Sequence, residues 1–339
     1  IVSGFPSTIY FDTGDNNWEV RSAGLPKGSP VSMGARIKDF SATLITLASP
    51  QWVSVTDGSK TAQVNIPVTH GSLDHFAFST IPDSTAGSTI FNVTITAQDG
   101  FNNRVQSFNS TATLSSNTGT NTFVPTTASF ASGQSIINVT VYKATYPDRA
   151  KLTCTYGGRS GESNLFFINP GPYADLVLIL PGETHKPGDI VAQGKSGTPF
   201  SYTVGNPAIQ TTVYAADQYW NKVHPSDPEP KIEITTAHYL DVQPNNPWTM
   251  SNGEAIFWTT LKTAATGQVL IATDIATGIN NTSTISVSPG NFVKLQIIAP
   301  DEVADPGSDL GKTGVVRSQV AGVSFDVQVR AVDQYWNLV

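Results

Sequence analysis

Cysteine is almost absent from this sequence: Cys154 is the single cysteine among 339 residues. No disulfide can therefore form within the chain, and stability has to come from apolar cores and from packing between its parts. Around Cys154, apolar and polar residues alternate, which predicts a strand with Leu152 and an inert Cys154 thiol on its buried face. Such cysteine usage fits a bacterial or archaeal protein that works outside the cell.

Charge is also scarce, above all positive charge. Only 13% of the residues are charged, and the net charge is −7. Phosphate backbones and anionic lipids are bound by basic patches, so this composition argues against nucleic acid as a partner. No stretch of about 18 consecutive apolar residues occurs, so we expect no membrane insertion by this chain.

The sequence lacks the residue patterns of common catalytic sites. Its five histidines lie in separate segments, without the i, i+4 spacing that places two imidazoles on one helical face for zinc. Gly194-Lys195-Ser196 and Gly311-Lys312-Thr313 resemble the end of a phosphate-binding loop, but the preceding glycines, Gly188 and Gly307, are each misplaced by one residue. No strained serine elbow is recognisable. We therefore expect no catalytic residues and no enzyme activity.

The sequence is rich in Ser, Thr, Asn, Gly and Val, arranged in short stretches that alternate apolar and polar residues. Residues 91–96 and 325–330 are examples. Alternation with a period of two is typical of strands with one buried and one solvated face. The sequence therefore predicts an all-β protein, and its length suits roughly two to four β-sandwich domains.

A turn motif recurs along the chain at a spacing of about 118 residues. It begins at Asp99, Asp217 and Asp333, and it reads Asp-Gln-Tyr-Trp-Asn in the last two copies. Pro170-Gly171 and Pro289-Gly290 precede the apolar strands that open the last two repeats. Because Pro lacks an amide donor and Gly tolerates unusual dihedral angles, these pairs suit junctions between domains.

These landmarks divide the chain into four predicted modules that stack end to end. The first module (1–70) is a divergent or partial immunoglobulin-like domain, the second (71–171) an immunoglobulin-like domain, and the third (172–290) one with a loop insertion. The fourth module (291–339) holds only the first strands of such a domain. A sandwich needs about seven strands, so we expect more chain, or strand donation by another subunit, to complete it.

The turn motif has two interpretations. In the structural one, the Asp side chain accepts hydrogen bonds from amides of the turn, and the aromatic residues close one end of the sandwich. In the functional one, Tyr219 and Trp220 stack on sugars or on a partner. Recurrence in successive modules favours the structural interpretation. The residues concerned are Asp99, Asp217, Tyr219, Trp220, Asn221, Asp333, Tyr335, Trp336 and Asn337.

Carboxylates are dense in one loop of the fourth module, at Asp301, Glu302, Asp305 and Asp309. Carboxylates and loop carbonyls are the ligands that calcium prefers. The alternative is a solvated acidic loop, and no Asp-x-Asp-x-Asp-Gly sequence occurs. We keep these four residues as calcium candidates and expect no other cofactor.

Several segments together resemble the immunoglobulin-like repeats of large bacterial surface, adhesin-like and extracellular filament proteins. They are the Leu-Pro-Gly-Glu loop at 180–183, the Gly-Lys-Ser/Thr-Gly segments, the Ala-Gly strand starts and the Asp-Gln-Tyr-Trp-Asn turns. The resemblance covers residues 71–339. It implies tandem β-sandwiches, an extracellular or cell-surface location, and a role as stalk, spacer, adhesive surface or filament wall.

Our leading hypothesis is a non-catalytic structural or adhesive protein that forms a stalk, filament or sheath by module stacking. Neighbouring subunits or modules are its expected partners, with a surface glycan or protein as a second class. The alternative is a set of carbohydrate-binding accessory modules of a secreted enzyme, in which exposed aromatic rings stack on sugars. The exposure of the tryptophans bears on this choice: Trp18, Trp52, Trp220, Trp248, Trp258 and Trp336.

Overall fold

The computed structural model of this chain describes residues 8–13, 19–20, 30–32, 42–224 and 229–339. All regular secondary structure in these ranges consists of β-strands, which confirms the predicted all-β class of tandem sandwiches. No helix in the described ranges is long and apolar enough to cross a membrane. Trp18 lies outside the described residues.

The described part of the first module is dominated by one antiparallel sheet. Its strands are β1 (Thr8–Thr13), β2 (Glu19–Val20), β3 (Pro30–Ser32), β4 (Ala42–Thr43), β5 (Ala48–Thr56) and β6 (Thr61–Val68). The sheet has the order β3-β1-β5-β6, and β2 pairs with β4. Asp57 closes the turn between β5 and β6, because its Oδ1 accepts hydrogen bonds from the Ser59 and Lys60 amides at 2.8 and 2.7 Å.

The second module is a β-sandwich. Its strands are β7 (His75–Phe78), β8 (Ser84–Thr85), β9 (Thr89–Gln98), β10 (Thr111–Ser116), β11 (Phe123–Val124), β12 (Thr127–Ser129), β13 (Gln134–Val141), β14 (Leu152–Tyr156), β15 (Arg159–Glu162) and β16 (Ile168–Asn169). The two larger sheets have the orders β12-β10-β14-β15 and β11-β13-β9-β7. Alternate residues of both sheets, such as Leu114 and Ile95, enter one apolar core that runs from Phe76 to Ile168.

The third module is a larger sandwich with its own core, which runs from Leu176 to Val287. We call its sheet β17-β21-β25-β23 the front sheet, and the opposing sheet has the order β20-β27-β26-β22-β24. A hairpin of β18 and β19 lies beside them. The strands are β17 (Asp175–Ile179), β18 (Glu183–Lys186), β19 (Gly194–Gly197), β20 (Tyr202–Thr203), β21 (Ile209–Ala216), β22 (Lys231–Thr235), β23 (Leu240–Gln243), β24 (Trp248–Thr249), β25 (Glu254–Leu261), β26 (Ala265–Asp274) and β27 (Asn280–Ser288).

The fourth module repeats the opening strands of the third. Its strands are β28 (Lys294–Ile298), β29 (Glu302–Ala304), β30 (Lys312–Gly314) and β31 (Gln328–Val332), paired as β28-β31 and β29-β30. Leu295 and Ile297 on β28 occupy the positions of Leu176 and Leu178 on β17. The two leucines of the third module are fully buried, whereas Leu295 and Ile297 are 64% and 56% exposed.

The buried thiol of Cys154 gives a first prediction. Cys154 lies on β14 opposite Leu114 and is fully buried, and this burial raises its pKa to about 12. Because only the thiolate reacts with disulfide reagents, we expect no reaction of the native protein with Ellman's reagent at pH 8. The protein unfolded in guanidinium chloride should release one equivalent of thionitrobenzoate, and rapid labelling of the native chain would contradict this burial.

Candidate functional site: the joints between modules

The carboxylate of Asp217 organises the turn that follows β21. It is fully buried, and its Oδ1 accepts hydrogen bonds from the backbone amides of Tyr219 and Asn221 at 2.8 and 3.0 Å. Its Oδ2 accepts one from the Gly171 amide at 2.8 Å. The Asp side chain therefore caps its own turn, and it also ties that turn to the Pro-Gly segment where the module begins.

The side chain of Asn221 carries this network into the preceding module. Its Nδ2 lies 3.1 and 3.0 Å from the two Asp217 oxygens and donates to the Tyr142 carbonyl at 2.7 Å. Its Oδ1 accepts a hydrogen bond from the Ala144 amide at 2.8 Å. The carboxamide thus pairs with a donor and an acceptor on the backbone that follows β13, as a neighbouring strand would.

The same arrangement recurs at the next joint towards the C-terminus. Asn337 Oδ1 accepts from the Ala264 amide at 2.7 Å, and its Nδ2 donates to the Lys262 carbonyl at 2.9 Å. Asp333 Oδ2 accepts from the Gly290 amide at 2.9 Å. The third and fourth modules are therefore joined by the same hydrogen bonds as the second and third.

The first joint also has this geometry. Asn103 Oδ1 accepts from the Leu47 amide and its Nδ2 donates to the Ile45 carbonyl, both at 2.7 Å. Asp99 Oδ2 accepts from the Gly71 amide at 2.7 Å. We call each of these networks an Asp–Asn joint: Asp99 with Asn103, Asp217 with Asn221, and Asp333 with Asn337. The sequence prediction omitted Asn103, although its offset of four residues from Asp99 matches the other two copies.

The tyrosines of the turn pack against the preceding module. Tyr219 contacts the apolar core of the second module, and its ring centroid lies 5.0 Å from that of Tyr142. A Cβ at Gly87 would lie 1.9 Å from the Tyr219 ring, so this glycine makes room for the ring. Tyr335 packs against the core of the third module in the same way. These rings add apolar contact area to the hydrogen bonds of the joint.

The tryptophans of the turn pack within their own module. Trp220 and Trp336 have φ angles of 61° and 69°, a left-handed conformation that is uncommon for large side chains. A Cβ at Gly194 would lie 2.4 Å from Trp220, and one at Gly311 would lie 2.2 Å from Trp336. The indoles therefore lie directly on the glycines of the Gly-Lys-Ser/Thr segments, and both are half-buried.

The two glycines that precede those segments also belong to the joints. The Gly188 amide donates to the Tyr219 carbonyl at 2.8 Å, and the Gly307 amide donates to the Tyr335 carbonyl at 2.7 Å. A Cβ at Gly188 would lie 2.3 Å from the Lys143 Cα of the second module. A Cβ at Gly307 would lie 2.2 Å from the Thr263 Oγ1 of the third module. Sequence reasoning missed these close approaches, since the spacing to the next glycine differs between the copies.

The lysines of the same segments form ion pairs with glutamates of their hairpins. Lys195 Nζ lies 3.1 Å from Glu183 Oε1, and Lys312 Nζ lies 2.8 Å from Glu302 Oε2. The hydrogen bond from Lys312, followed by that from the Ala299 amide, lowers the pKa of Glu302. These lysines thus hold the hairpins closed.

The structure does not bring the four calcium candidates together. Glu302 is paired with Lys312, and Asp301 lies 3.8 Å from Arg317. Asp305 Oδ2 accepts a hydrogen bond from the Tyr239 hydroxyl of the third module at 2.8 Å. The backbone carbonyl of Asp309 accepts one from Trp336 Nε1 at 3.2 Å. No group of three or more metal-binding side chains lies together in the described part of the chain, so calcium binding stays a prediction.

Burial and hydrogen bonding shift the pKa of two groups near the joints. Burial opposes the ionisation of Asp99, but the hydrogen bonds from Gly71, Asn103 and Phe101 outweigh it and lower the pKa of the carboxyl. Burial also lowers the pKa of His185. The His185 ring stacks on Tyr214 at 4.9 Å, and its Nε2 lies 2.7 Å from the Trp220 carbonyl. A neutral ring that donates from Nε2 satisfies this geometry.

We predict that Asn221→Ala opens the joint between the second and third modules locally. The substitution leaves the Tyr142 carbonyl and the Ala144 amide without their partner, at a cost of about 1–3 kcal/mol. Hydrogen exchange measured by mass spectrometry should accelerate about tenfold or more at Ala144. The peptide around Ala264, at the next joint, should exchange at the wild-type rate.

Asn245→Ala is the matched control, because Asn245 is an exposed asparagine of the third module. It should leave the exchange of both peptides unchanged. Unchanged exchange at Ala144 in the Asn221→Ala variant would show that the joint does not depend on this side chain.

We predict that acid weakens the first joint through Asp99. Since its folded-state pKa is lowered, the ionised carboxylate stabilises the fold above about pH 4, and this stabilisation is lost as the pH falls through the lowered value. Asp99→Asn should melt at a lower temperature at pH 7 and lose less on acidification to pH 3 than the wild type. Asp148→Asn, at an exposed position, should keep the wild-type pH dependence; equal slopes for all three proteins would contradict the assignment.

Comparisons with known proteins give only distant structural similarities. No family model matches the sequence, and no curated protein matches it. Domains 4–9 of the surface layer protein SbsC are 15% identical, with a TM-score of 0.24 over 88% of this chain and 42% of that one. The D0–D1 domain of intimin is 14% identical, with a TM-score of 0.25 over 64% of this chain and 98% of that one.

A third solved structure contains the N-terminal eight Ig domains of the Down syndrome cell adhesion molecule. It is 11% identical, with a TM-score of 0.26 over 92% of this chain and 44% of that one. The chain therefore spans less than half of the surface layer and cell adhesion structures. At these identities and scores, the similarities carry no argument about function.

Proposed function

We propose that this chain is a non-catalytic extracellular structural or adhesive protein whose modules form a semi-rigid stack within a stalk, filament or sheath. The observation that carries the proposal is the Asp–Asn joint, which recurs with nearly the same hydrogen bonds at three successive positions. A module that only needed to fold would not require an asparagine that binds the backbone of its neighbour. The repeated side chain is therefore best explained by a need for a defined orientation between modules.

The contacts at each joint resist bending. Rotation of the third module against the second breaks both Asn221 hydrogen bonds to the Tyr142 and Ala144 backbone. It also withdraws Tyr219 from the apolar core of the second module. A typical hydrogen bond contributes about 1 kcal/mol net, and a buried group left unpaired costs about 1–3 kcal/mol. Such a joint keeps its orientation where a flexible linker would not.

Self-association is the second part of the proposal. Each joint binds one module to the backbone of the next through a repeated asparagine. The same kind of contact between modules of separate chains would join copies of the protein.

An extracellular or cell-surface location is the third part of the proposal. Many strands have a polar outer face, as in β27, where exposed and buried residues alternate. Surface glycans and proteins remain the proposed external partners.

We predict that small-angle X-ray scattering of the wild-type chain fits a single arrangement of modules. A triple variant with Asn103, Asn221 and Asn337 replaced by Ala should require an ensemble of orientations and show a raised high-angle Kratky plateau, because its joints lose their hydrogen bonds. The forward scattering gives the particle mass, which should rise with concentration because the proposed self-association joins copies of the chain.

The Asn245→Ala variant should scatter like the wild type. Circular dichroism should show that the triple variant keeps its β structure, so that flexibility at the joints is distinguished from unfolding. A flexible wild-type chain, or identical scattering of the folded triple variant, would overturn the semi-rigid stack.

A further inference from the structure

We infer that the outer face of the front sheet in the third module binds a neutral polysaccharide. Its centre is Trp258 on β25, whose side chain is 51% exposed, while its neighbours in the strand, Phe257 and Thr259, are fully buried. The strand alternation therefore holds a large aromatic ring outwards on a regular, well-supported element. Rings fixed in this way offer contact area at little entropic cost.

Two glutamines flank the indole. Gln210 on β21 and Gln243 on β23 are both directly opposite Trp258 in the sheet register, and both are exposed. Side chains opposite each other in antiparallel strands have Cβ atoms about 5 Å apart. Gln210 Nε2 lies 3.4 Å from Thr212 Oγ1, which is long for a hydrogen bond. The carboxamides can therefore exchange hydrogen bonds with hydroxyl groups of a ligand stacked on the indole.

The apolar surface continues along β25 to Ile256, which lies beside a second exposed indole at the edge of the opposing sheet, Trp248 of β24. Ile256 lies two residues before Trp258 on the same face and is 41% exposed. Ile256 and Trp248 line one surface depression, and Trp248 is 43% exposed. Trp258, Ile256 and Trp248 thus form a continuous series, which suits an extended ligand better than a single small molecule.

The charges around this surface are paired. Lys222 Nζ lies 2.6 Å from Glu254 Oε2, and Lys262 Nζ lies 2.9 Å from Asp241 Oδ2. The face therefore offers aromatic rings and uncharged amides without an unpaired lysine for an acidic ligand. Sugars combine apolar C–H faces with hydroxyl edges, and a neutral glycan matches both features. An acidic polysaccharide or a charged peptide does not match these features of the face.

Comparison with the second module shows that the indole is not needed for the sandwich. Strand β13 occupies the place of β25, since each pairs with the strand that leads into the Asp turn. Asn138 of β13 stands where β25 has Trp258, and its Oδ1 accepts a hydrogen bond from the Asn92 amide at 3.2 Å. The residues of the joints recur from module to module, whereas Trp258 does not. This difference points to a dedicated site in the third module.

Affinity electrophoresis of the full chain tests the inference. Native gels are cast with mixed-linkage β-glucan, xylan, galactomannan or polygalacturonate, and we expect at least one of the three neutral polysaccharides to retard the protein. Trp258→Ala should weaken the retardation constant about tenfold, and Trp248→Ala and Gln243→Ala should weaken it to a smaller extent. Tyr146→Ala is the matched control, because Tyr146 is a 69% exposed aromatic residue of the second module.

Four results would overturn the inference. They are no retardation by any of the three neutral polysaccharides, retardation by polygalacturonate alone, wild-type retardation of Trp258→Ala, and a Trp258-dependent dimer in sedimentation velocity. If Trp258→Ala melts at a lower temperature, Trp258→Phe must bind more tightly than Trp258→Leu for the inference to stand. None of these outcomes bears on the Asp–Asn joints, so the proposed stack of modules is tested independently by the scattering experiment.

Discussion

The arrangement of modules depends on one asparagine carboxamide at each joint, and this side chain is buried at Asn221 and Asn337. An asparagine side chain can pair with a carbonyl and an amide of a neighbouring backbone only when its orientation is fixed. Asp217 fixes it, because the same carboxylate accepts hydrogen bonds from the Asn221 side chain, from the Asn221 amide and from the Gly171 amide. The start of the module, its turn and its attachment to the preceding module are therefore parts of one network, and loosening one part weakens the others.

The repeat in the sequence was sufficient to predict the fold and the position of the turn, but not the partners of its side chains. Alternating residues and the recurring Asp motif predicted the strands and the position of the turn, in which Asp217 Oδ1 accepts a hydrogen bond from the Tyr219 amide. The partners of Asn221 are the Tyr142 carbonyl and the Ala144 amide. Because every residue has a backbone carbonyl and nearly every residue an amide, no sequence pattern distinguishes such partners.

The acidic loop of the fourth module shows why residues that are dense in sequence need not converge. Glu302 begins β29, and its carboxylate pairs with Lys312 on β30. Asp305 follows this strand and reaches Tyr239 of the preceding module. In an extended chain, successive side chains point to opposite faces and each residue advances about 3.3 Å. Clustering in the sequence therefore predicts clustering in space less well for strands and open hairpins than for a compact calcium loop.

Recurrence separates the structural residues of this protein from those that serve one module. A search for repeated positions identifies Asp217, whose task is the same at each joint, and Tyr219, whose task is repeated by Tyr335. The same search passes over Trp258, whose counterpart is Asn138. Only the structure shows that Trp258 lies exposed between Gln210 and Gln243 on a strand with a buried opposite face. The aromatic residues that first suggested a sugar-binding platform, Tyr219 and Trp220, instead contact the preceding core and Gly194. The joint residues and the exposed strand faces use different positions of the same repeat. A stack built from repeated joints can therefore carry a ligand-binding surface on a single module.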